Sequence, residues 1–253
     1  MKIEEDYSGR EDIGSRRYQE DYYAFSKISD SQNGEHGLLV VLADGMGGHQ
    51  SGEVASQTSV ESFIGRFHRC EGSMVERLSK SLLASNDAIR ETIEQSPNFS
   101  GMGTTLVAGT VLNREFHFIS IGDSLLYRFT EDDLKLLNTP HSTAAVLASK
   151  IGGDLSAEEL SKHPYRNALR AALMGTPIQM ADFSPEPIPL KSGDVLIFAS
   201  DGINSLSQYG IRMAIAKGKA KGAGAIADCL IDAVLEEDVT KQDNVTIAAT
   251  VIG

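Results

Sequence analysis

The 253-residue sequence predicts an α+β layered domain, and three observations carry that reading. The apolar pattern changes period along the chain, from helical spacing over 52–95 to strand-like runs over 103–130. The joints between those later runs are only "NR" and "GD", whereas a parallel crossover needs about a dozen residues. The helical stretches are grouped apart from the strands instead of alternating with them.

Each element has its own signal. "LLVVLA" (38–43) is a continuous, β-rich apolar run, as in a buried strand. Over 52–67, Val54, Ala55, Val60, Phe63, Ile64 and Phe67 recur at helical spacing. The pattern repeats over 74–95, and Pro97 marks its end. "GTTLVAGTVL" (103–112), "EFHFISIG" (115–122) and "SLLYRFT" (124–130) read as a three-stranded antiparallel meander. "DVLIFAS" (194–200) is a further buried strand, 224–237 a helix, and "NVTIAATVI" (244–252) a closing strand. Residues 138–180 are less regular and read as an insertion on a single domain spanning 1–253.

Charge and composition narrow the function. With 23 Lys and Arg against 35 Asp and Glu, the net charge is −12. That excludes a general nucleic-acid binder, which needs a basic face, but leaves room for a small basic phosphate pocket. The two cysteines, Cys70 and Cys229, have neither metal-site nor disulfide-framework spacing and are expected as reduced thiols. The N-terminal stretch has no apolar core for a secretory signal, and no apolar run approaches the roughly 20 residues of a membrane span. The expectation is a cytoplasmic protein without membrane contact.

The informative feature is where the acids fall. "LLVVLADGMGG" ends a buried run at Asp44, with Gly45 next; "VLIFASDG" repeats the design at Asp201. Asp123 follows a strand in "FHFISIGDS", Asp243 precedes one in "KQDNVTIAAT", and Glu20 and Asp21 stand in "RRYQEDYY". Singly, each Asp-Gly is better read as a turn. Together they are acids at one kind of strand end, and they can converge at a sheet edge. Converged carboxylates need a cation, and oxygen donors favour Mg²⁺ or Mn²⁺. The six histidines show no zinc-type pairing, and the glycine run lacks the Lys-Ser/Thr of a phosphate-cradling P-loop. Gly45, without a side chain, lets its carbonyl approach an ion.

These stretches occur in order with "GSRRYQED" (14–21), "GMGTTL" (101–106) and "QDNVT" (242–246), and so does the 152–175 segment. The chain thereby resembles the bacterial branch of the type 2C metal-dependent serine/threonine protein phosphatases over nearly its whole length. The resemblance implies two antiparallel sheets packed as a sandwich, flanked by helices, with a small flap subdomain at about 138–180. It implies Asp44 as the carboxylate bridging two Mn²⁺ or Mg²⁺ ions and Gly45 as a backbone-carbonyl ligand. Asp201 and Asp243 are implied as ligands of the first ion, Glu20 of the second, and Asp21 as its outer neighbour. Asp123, with Asp201, corresponds to a third ion position. Arg16, beside Arg17, is implied as the phosphate-binding arginine, whose fork suits a phosphate dianion.

The implied chemistry is in-line attack on phosphorus by a water held between two ions about 4 Å apart, with no phosphoenzyme. The implied substrates are phosphorylated proteins, opposing a serine/threonine kinase, and the enzyme is expected as a monomer. Departures from the family pattern are Gln19 for Asn, Met46 for the animal histidine, Leu125 for Arg, and Pro140 ahead of His141-Ser142. None removes an implied ligand. Three other readings remain at this stage, the first a phosphatase of one dedicated partner, such as an anti-sigma-factor antagonist. A catalytically inactive binding module would be expected to have lost an acid, and all are present. A calcium-stabilised structural domain would not require Arg16.

Overall fold

The computed structural model describes residues 1–29, 36–47, 50–131, 133–142 and 169–253. Its strands form two antiparallel sheets. In the first, β1 (Tyr7–Asp12), β12 (Val245–Val251), β11 (Val195–Ala199), β7 (Leu125–Thr130) and β8 (Asp133–Leu136) lie in that order. In the second, β10 (Ile188–Pro189), β6 (Glu115–Ile121), β5 (Leu106–Leu112), β3 (His36–Met46) and β2 (Asp21–Ser29) lie side by side. Short β4 (Gly103–Thr104) joins β3, and β9 (Asp182–Phe183) joins β6.

The sheets pack face to face, with helices on both outer faces. Leu38, Val40 and Leu42 of β3 point between the sheets and meet a layer that includes Phe116, Phe198 and Ala248. Their alternates Leu39, Val41 and Ala43 share a layer with Phe63 and Phe67 of α1 (Gln50–Arg69) and Leu82 of α2 (Met74–Gln95). Both faces of β3 are therefore buried, which is why its sequence is unbroken apolar and not alternating. On the far side, α3 (Gln208–Lys219) and α4 (Ala223–Glu236) cover β11 and β12 through Ile215, Ile226 and Leu230. The expected α+β sandwich of two antiparallel sheets flanked by helices is what the structure shows.

The expected helix over 74–95 forms with those bounds because both ends are signalled. Ser73 accepts from the Glu76 N–H at 3.3 Å while the Glu76 carboxylate accepts from the Ser73 N–H at 2.9 Å. Pro97 then opens a separate 3₁₀ turn.

One expectation is corrected: the three runs over 103–130 are not a meander. β5 and β6 do pair as neighbours, but β7 leaves for the other sheet and pairs with β11, Leu126 opposite Phe198. A short joint forbids a parallel crossover, but it does not require that the next strand stay in the same sheet. Gly122 makes the turn at φ +99, where a Cβ would lie 2.6 Å from the Thr105 side chain. Strands β1 and β2 and helix α3 had no sequence expectation. Among the described residues no helix is long and apolar enough to cross a membrane, and Cys70 and Cys229 are both free.

Candidate active site

The antiparallel pairing decides where the acids meet. β2 begins where β3 ends, and β12 begins where β11 ends. The turn from β6 to β7 lies between the sheets at the same end. Glu20, Asp44, Asp123, Asp201 and Asp243 consequently line one cavity of about 350 Å³, together with Arg16 and Gly45. Asp21 does not line it; it sits behind the wall, 4% exposed. Arg17 is exposed and outside the lining, so of the two adjacent arginines it is Arg16 that faces the cavity. Met46, Gly47, Thr105, Leu169 and Asn244 complete the wall.

The residues expected to form an insertion lie largely outside the described residues, which omit 143–168. Its flanks are described: Ser142 and Leu169 bridge one another, and Leu173 bridges Thr104. Of these flanking residues, Leu169 lines the cavity. His49 also lies outside the described residues. His141 is buried, and its Nδ1 accepts from the Gly122 N–H at 3.2 Å, a packing role.

Asp44 is held by its backbone. Its N–H donates to Thr105 Oγ1 at 2.9 Å, and its carbonyl accepts from the Thr104 hydroxyl at 2.8 Å and the Thr105 N–H at 2.9 Å. Thr105 also shares a hydrogen bond of 2.7 Å with Ser124, next to Asp123, so two acid-bearing segments are tied together. The glycine after each strand-end acid has a packing reason too. A Cβ on Gly45 would lie 2.1 Å from the Gly52 carbonyl oxygen and 2.6 Å from that of Glu20. A Cβ on Gly202 would lie 2.1 Å from the Asn244 carbonyl oxygen. The Gln242 amide donates to the Gly202 carbonyl at 2.9 Å, joining the Asp243 segment to that of Asp201.

Like charges in an enclosed space resist ionisation. Burial, then Asp21, Asp201, Asp123 and Asp243, push the Asp44 carboxyl well above the usual carboxylate range. Burial and the neighbouring acids Asp123, Asp243 and Asp21 raise Asp201 to about 7, against the pull of Arg16. Burial raises Asp123 to about 6. Burial also raises Asp21 to about 6, although the Ser200 and Thr246 hydroxyls oppose it. Arg16 is partly desolvated, yet the Asp243 carboxylate, to which it is directly hydrogen-bonded, holds its guanidinium above the ordinary value.

Among the described residues, no three His, Cys, Asp or Glu side chains are already drawn together tightly enough to hold an ion. In this arrangement Asp243 is engaged by Arg16. The donor chemistry nevertheless fits a hard dication. The acids of one cavity supply only oxygen, and each disfavours the ionisation of the next until a positive charge is added. The sequence named these acids and Arg16; it assigned no role to Thr104, Thr105, Gln242 or Asn244. Their signal was adjacency, since each lies beside an expected site residue in fold or in sequence.

The chain belongs to the protein phosphatase 2C family, whose sequence profile matches residues 8–217. The serine/threonine protein phosphatase PstP of Mycobacterium tuberculosis is 32% identical over 168 residues, 66% of this chain and 32% of that protein. The match thus spans about a third of that relative's length. The Streptococcus agalactiae serine/threonine phosphatase structure superposes with a TM-score of 0.82 at 26% identity, covering 98% of this chain and 99% of the other. The catalytic domain of PstP in complex with two manganese ions gives 0.78 at 28% identity, with 98% of each chain covered.

Proposed function

We propose that the chain is a metal-dependent phosphatase of phosphoserine and phosphothreonine in proteins. The observation that carries the reading is the composition of the cavity: five carboxylates and one guanidinium at the end of a phosphatase 2C sandwich. Two of the family's solved relatives are named as serine/threonine phosphatases, and one holds two manganese ions.

Asp44, Asp201, Asp243, Glu20 and the Gly45 carbonyl would hold two dications, Mn²⁺ or Mg²⁺, and Asp123 with Asp201 a third. When bound, these ions neutralise charge on the phosphate and acidify a water toward neutrality, making it a nucleophile. The remaining work falls to the chain. Arg16 presents two N–H donors to the phosphoryl oxygens and holds the ester in line with the incoming water. One P–O bond forms to the water oxygen while the bond to the serine or threonine oxygen breaks, and the proton lost by the water ends on that leaving oxygen. Asp21, behind the wall, faces Asp44 across the β2–β3 ladder and adds negative charge behind the site. Neither Cys70 nor Cys229 lines the cavity, so a thiol phosphoenzyme has no nucleophile there. The enzyme would oppose a serine/threonine kinase and act as a monomer.

The test is phosphate release from a phosphothreonine peptide with Mn²⁺, with EDTA, and by Asp201→Asn in Mn²⁺. Release only by wild type with metal supports the reading. No release by folded wild type with Mn²⁺ or Mg²⁺ on several phosphopeptides favours a binding module. Full release in EDTA, or by the variant, sinks the metal assignment.

A further inference from the structure

Arg16 and Glu20 belong to neither sheet. They sit in residues 13–20, the irregular stretch between β1 and β2. A guanidinium on an unsupported loop would sample many positions, and each would dilute its aim at a phosphate. What fixes this loop is therefore a functional matter.

One side chain contacts it three times. Asn244, 4% exposed at the entry to β12, donates from Nδ2 to the Ile13 carbonyl at 2.9 Å and to the Tyr18 carbonyl at 3.0 Å. Its Oδ1 accepts from the Glu20 N–H at 2.9 Å. Two partners can only accept and one can only donate, so the amide's orientation is settled, with both its N–H donors and one oxygen lone pair given to the loop. The three contacts bracket the loop: one before Arg16, one after it, and one at Glu20 itself. The loop also lies close against the backbone beside Asn244. Ser15 N–H donates to the Gln242 carbonyl at 2.9 Å, and a Cβ on Gly14 (φ +59) would lie 2.5 Å from the Asp243 carbonyl oxygen. Asn244 follows Asp243 in sequence, so the residue that aims the loop is anchored to one of the proposed ion ligands.

We propose that Asn244 is a positioning residue: its carboxamide sets the loop 13–20 against the start of β12, so that Arg16 and Glu20 face the same cavity as Asp243. Aspartate in its place would keep only the bond from Glu20 N–H, and alanine would keep none. The proposal rests on the phosphatase reading for its kinetic consequence alone.

The experiment compares wild type with Asn244→Ala and Asn244→Asp. Hydrogen exchange without metal should show faster exchange over 13–20 in both, while the β11 and β12 peptides stay protected. Titration with Mn²⁺ alone should show the alanine variant binding about 10–100-fold more weakly, the range for loss of an outer-shell support. Inorganic phosphate, as a competitive inhibitor, should weaken by at least tenfold in both variants, and KM for the phosphopeptide should rise with it. At saturating Mn²⁺ and substrate, kcat should fall as well, because Arg16 holds the ester in line less often, so Mn²⁺ affinity, KM and kcat change together. A purely architectural asparagine would lower the folded fraction, and so the maximal rate, with KM and Mn²⁺ affinity unchanged; that result overturns the proposal. Unchanged exchange over 13–20 in a folded variant overturns it as well. If the alanine variant does not fold, exchange and phosphate binding by the aspartate variant decide the matter. If wild type hydrolyses no phosphopeptide, the phosphatase reading fails by itself, and exchange and Mn²⁺ binding still judge Asn244.

Discussion

Asp21 and Asp44 stand directly opposite one another in the antiparallel ladder of β2 and β3. Directly opposed like charges destabilise a strand pair, and here the pair is closed in by the second sheet. Asp21→Asn should therefore raise the melting temperature in EDTA by about 2–4 °C, the shift expected for roughly 1 kcal/mol in a chain of this size. Asp44→Asn should raise it as well, and should also abolish activity, because Asp44 lines the cavity and Asp21 does not. A lower melting temperature for both variants in EDTA would show that the two charges are compensated within the protein.

The same repulsion gives the metal-free protein a pH signature. Asp21 and Asp123 are raised to about 6 and Asp201 to about 7, whereas an unfolded aspartate titrates near 4 (about 3.9). Between those values the folded state binds more protons than the unfolded one, so stability falls as pH rises. In EDTA the protein should melt higher at pH 5 than at pH 8. Saturating Mn²⁺ should shrink or reverse that difference, because the cation stabilises the ionised acids. Equal melting temperatures at the two pH values in EDTA would contradict the electrostatic account.

Glycine substitutions should separate by position. Gly45→Ala or Gly202→Ala would drive a methyl into a backbone carbonyl that stands 2.1 Å from the Cβ position. A cost of about 1–3 kcal/mol is expected, with activity lost by more than the fraction unfolded, since each shifts a proposed ligand segment. Gly65→Ala, in α1, would meet nothing closer than an Arg69 nitrogen at 3.6 Å. That change should stabilise the protein by roughly 0.5–1 kcal/mol. Melting curves for the three variants, side by side, are the check.

Arg16 makes a charge-assisted contact to Asp243 here and is proposed to make one to phosphate in turnover. Arg16→Ala should lower kcat/KM by about 10–100-fold, which corresponds to a hydrogen bond to a charged group of about 1.5–3 kcal/mol. Arg16→Lys restores the charge without the fork and should recover only part of the loss. Arg17→Ala, outside the cavity, should leave the kinetics unchanged. A lysine variant at full activity would mean that charge alone is needed.

The candidate site was more legible in the sequence than the sheets around it. Buried strands with acids at their ends are written locally: an apolar run stops at Asp44 or Asp201, and nothing distant is needed to see it. The helix over 74–95 was legible because its apolar spacing repeats over several turns and Pro97 follows its end, both local signals; the Ser73–Glu76 cap came only with the structure. β1 ("YSGRED") was missed because it is an edge strand with few apolar residues, and β2 ("DYYAFSKIS") because its apolar residues are consecutive and do not alternate, Tyr22 and Ala24 packing toward the helices and Tyr23 and Phe25 between the sheets. α3 was missed because Gly210 and Gly218 interrupt its helical pattern. The departure of β7 to the other sheet was not legible, since the joint "GD" encodes a turn and not its destination. The roles of Thr105 and Asn244 come from partners 61 and 224–231 residues away, which no local pattern contains.

The pairing of β1 with β12, Tyr7 opposite Thr250, carries a consequence for how the protein is made. A ribosome delivers β1 ahead of every other described strand, but its hydrogen-bonding neighbour emerges more than two hundred residues later. Because β12 lies between β1 and β11, that sheet stays split until residue 251 has cleared the exit tunnel. Asp243 and Asn244 arrive immediately ahead of β12. The nascent chain can assemble β2, β3, β5 and β6 with their helices early, yet it cannot hold a finished cavity. Catalytic competence and the last central strand are acquired together, so translation that stalls even a dozen residues short of Val251 should release no active fragment.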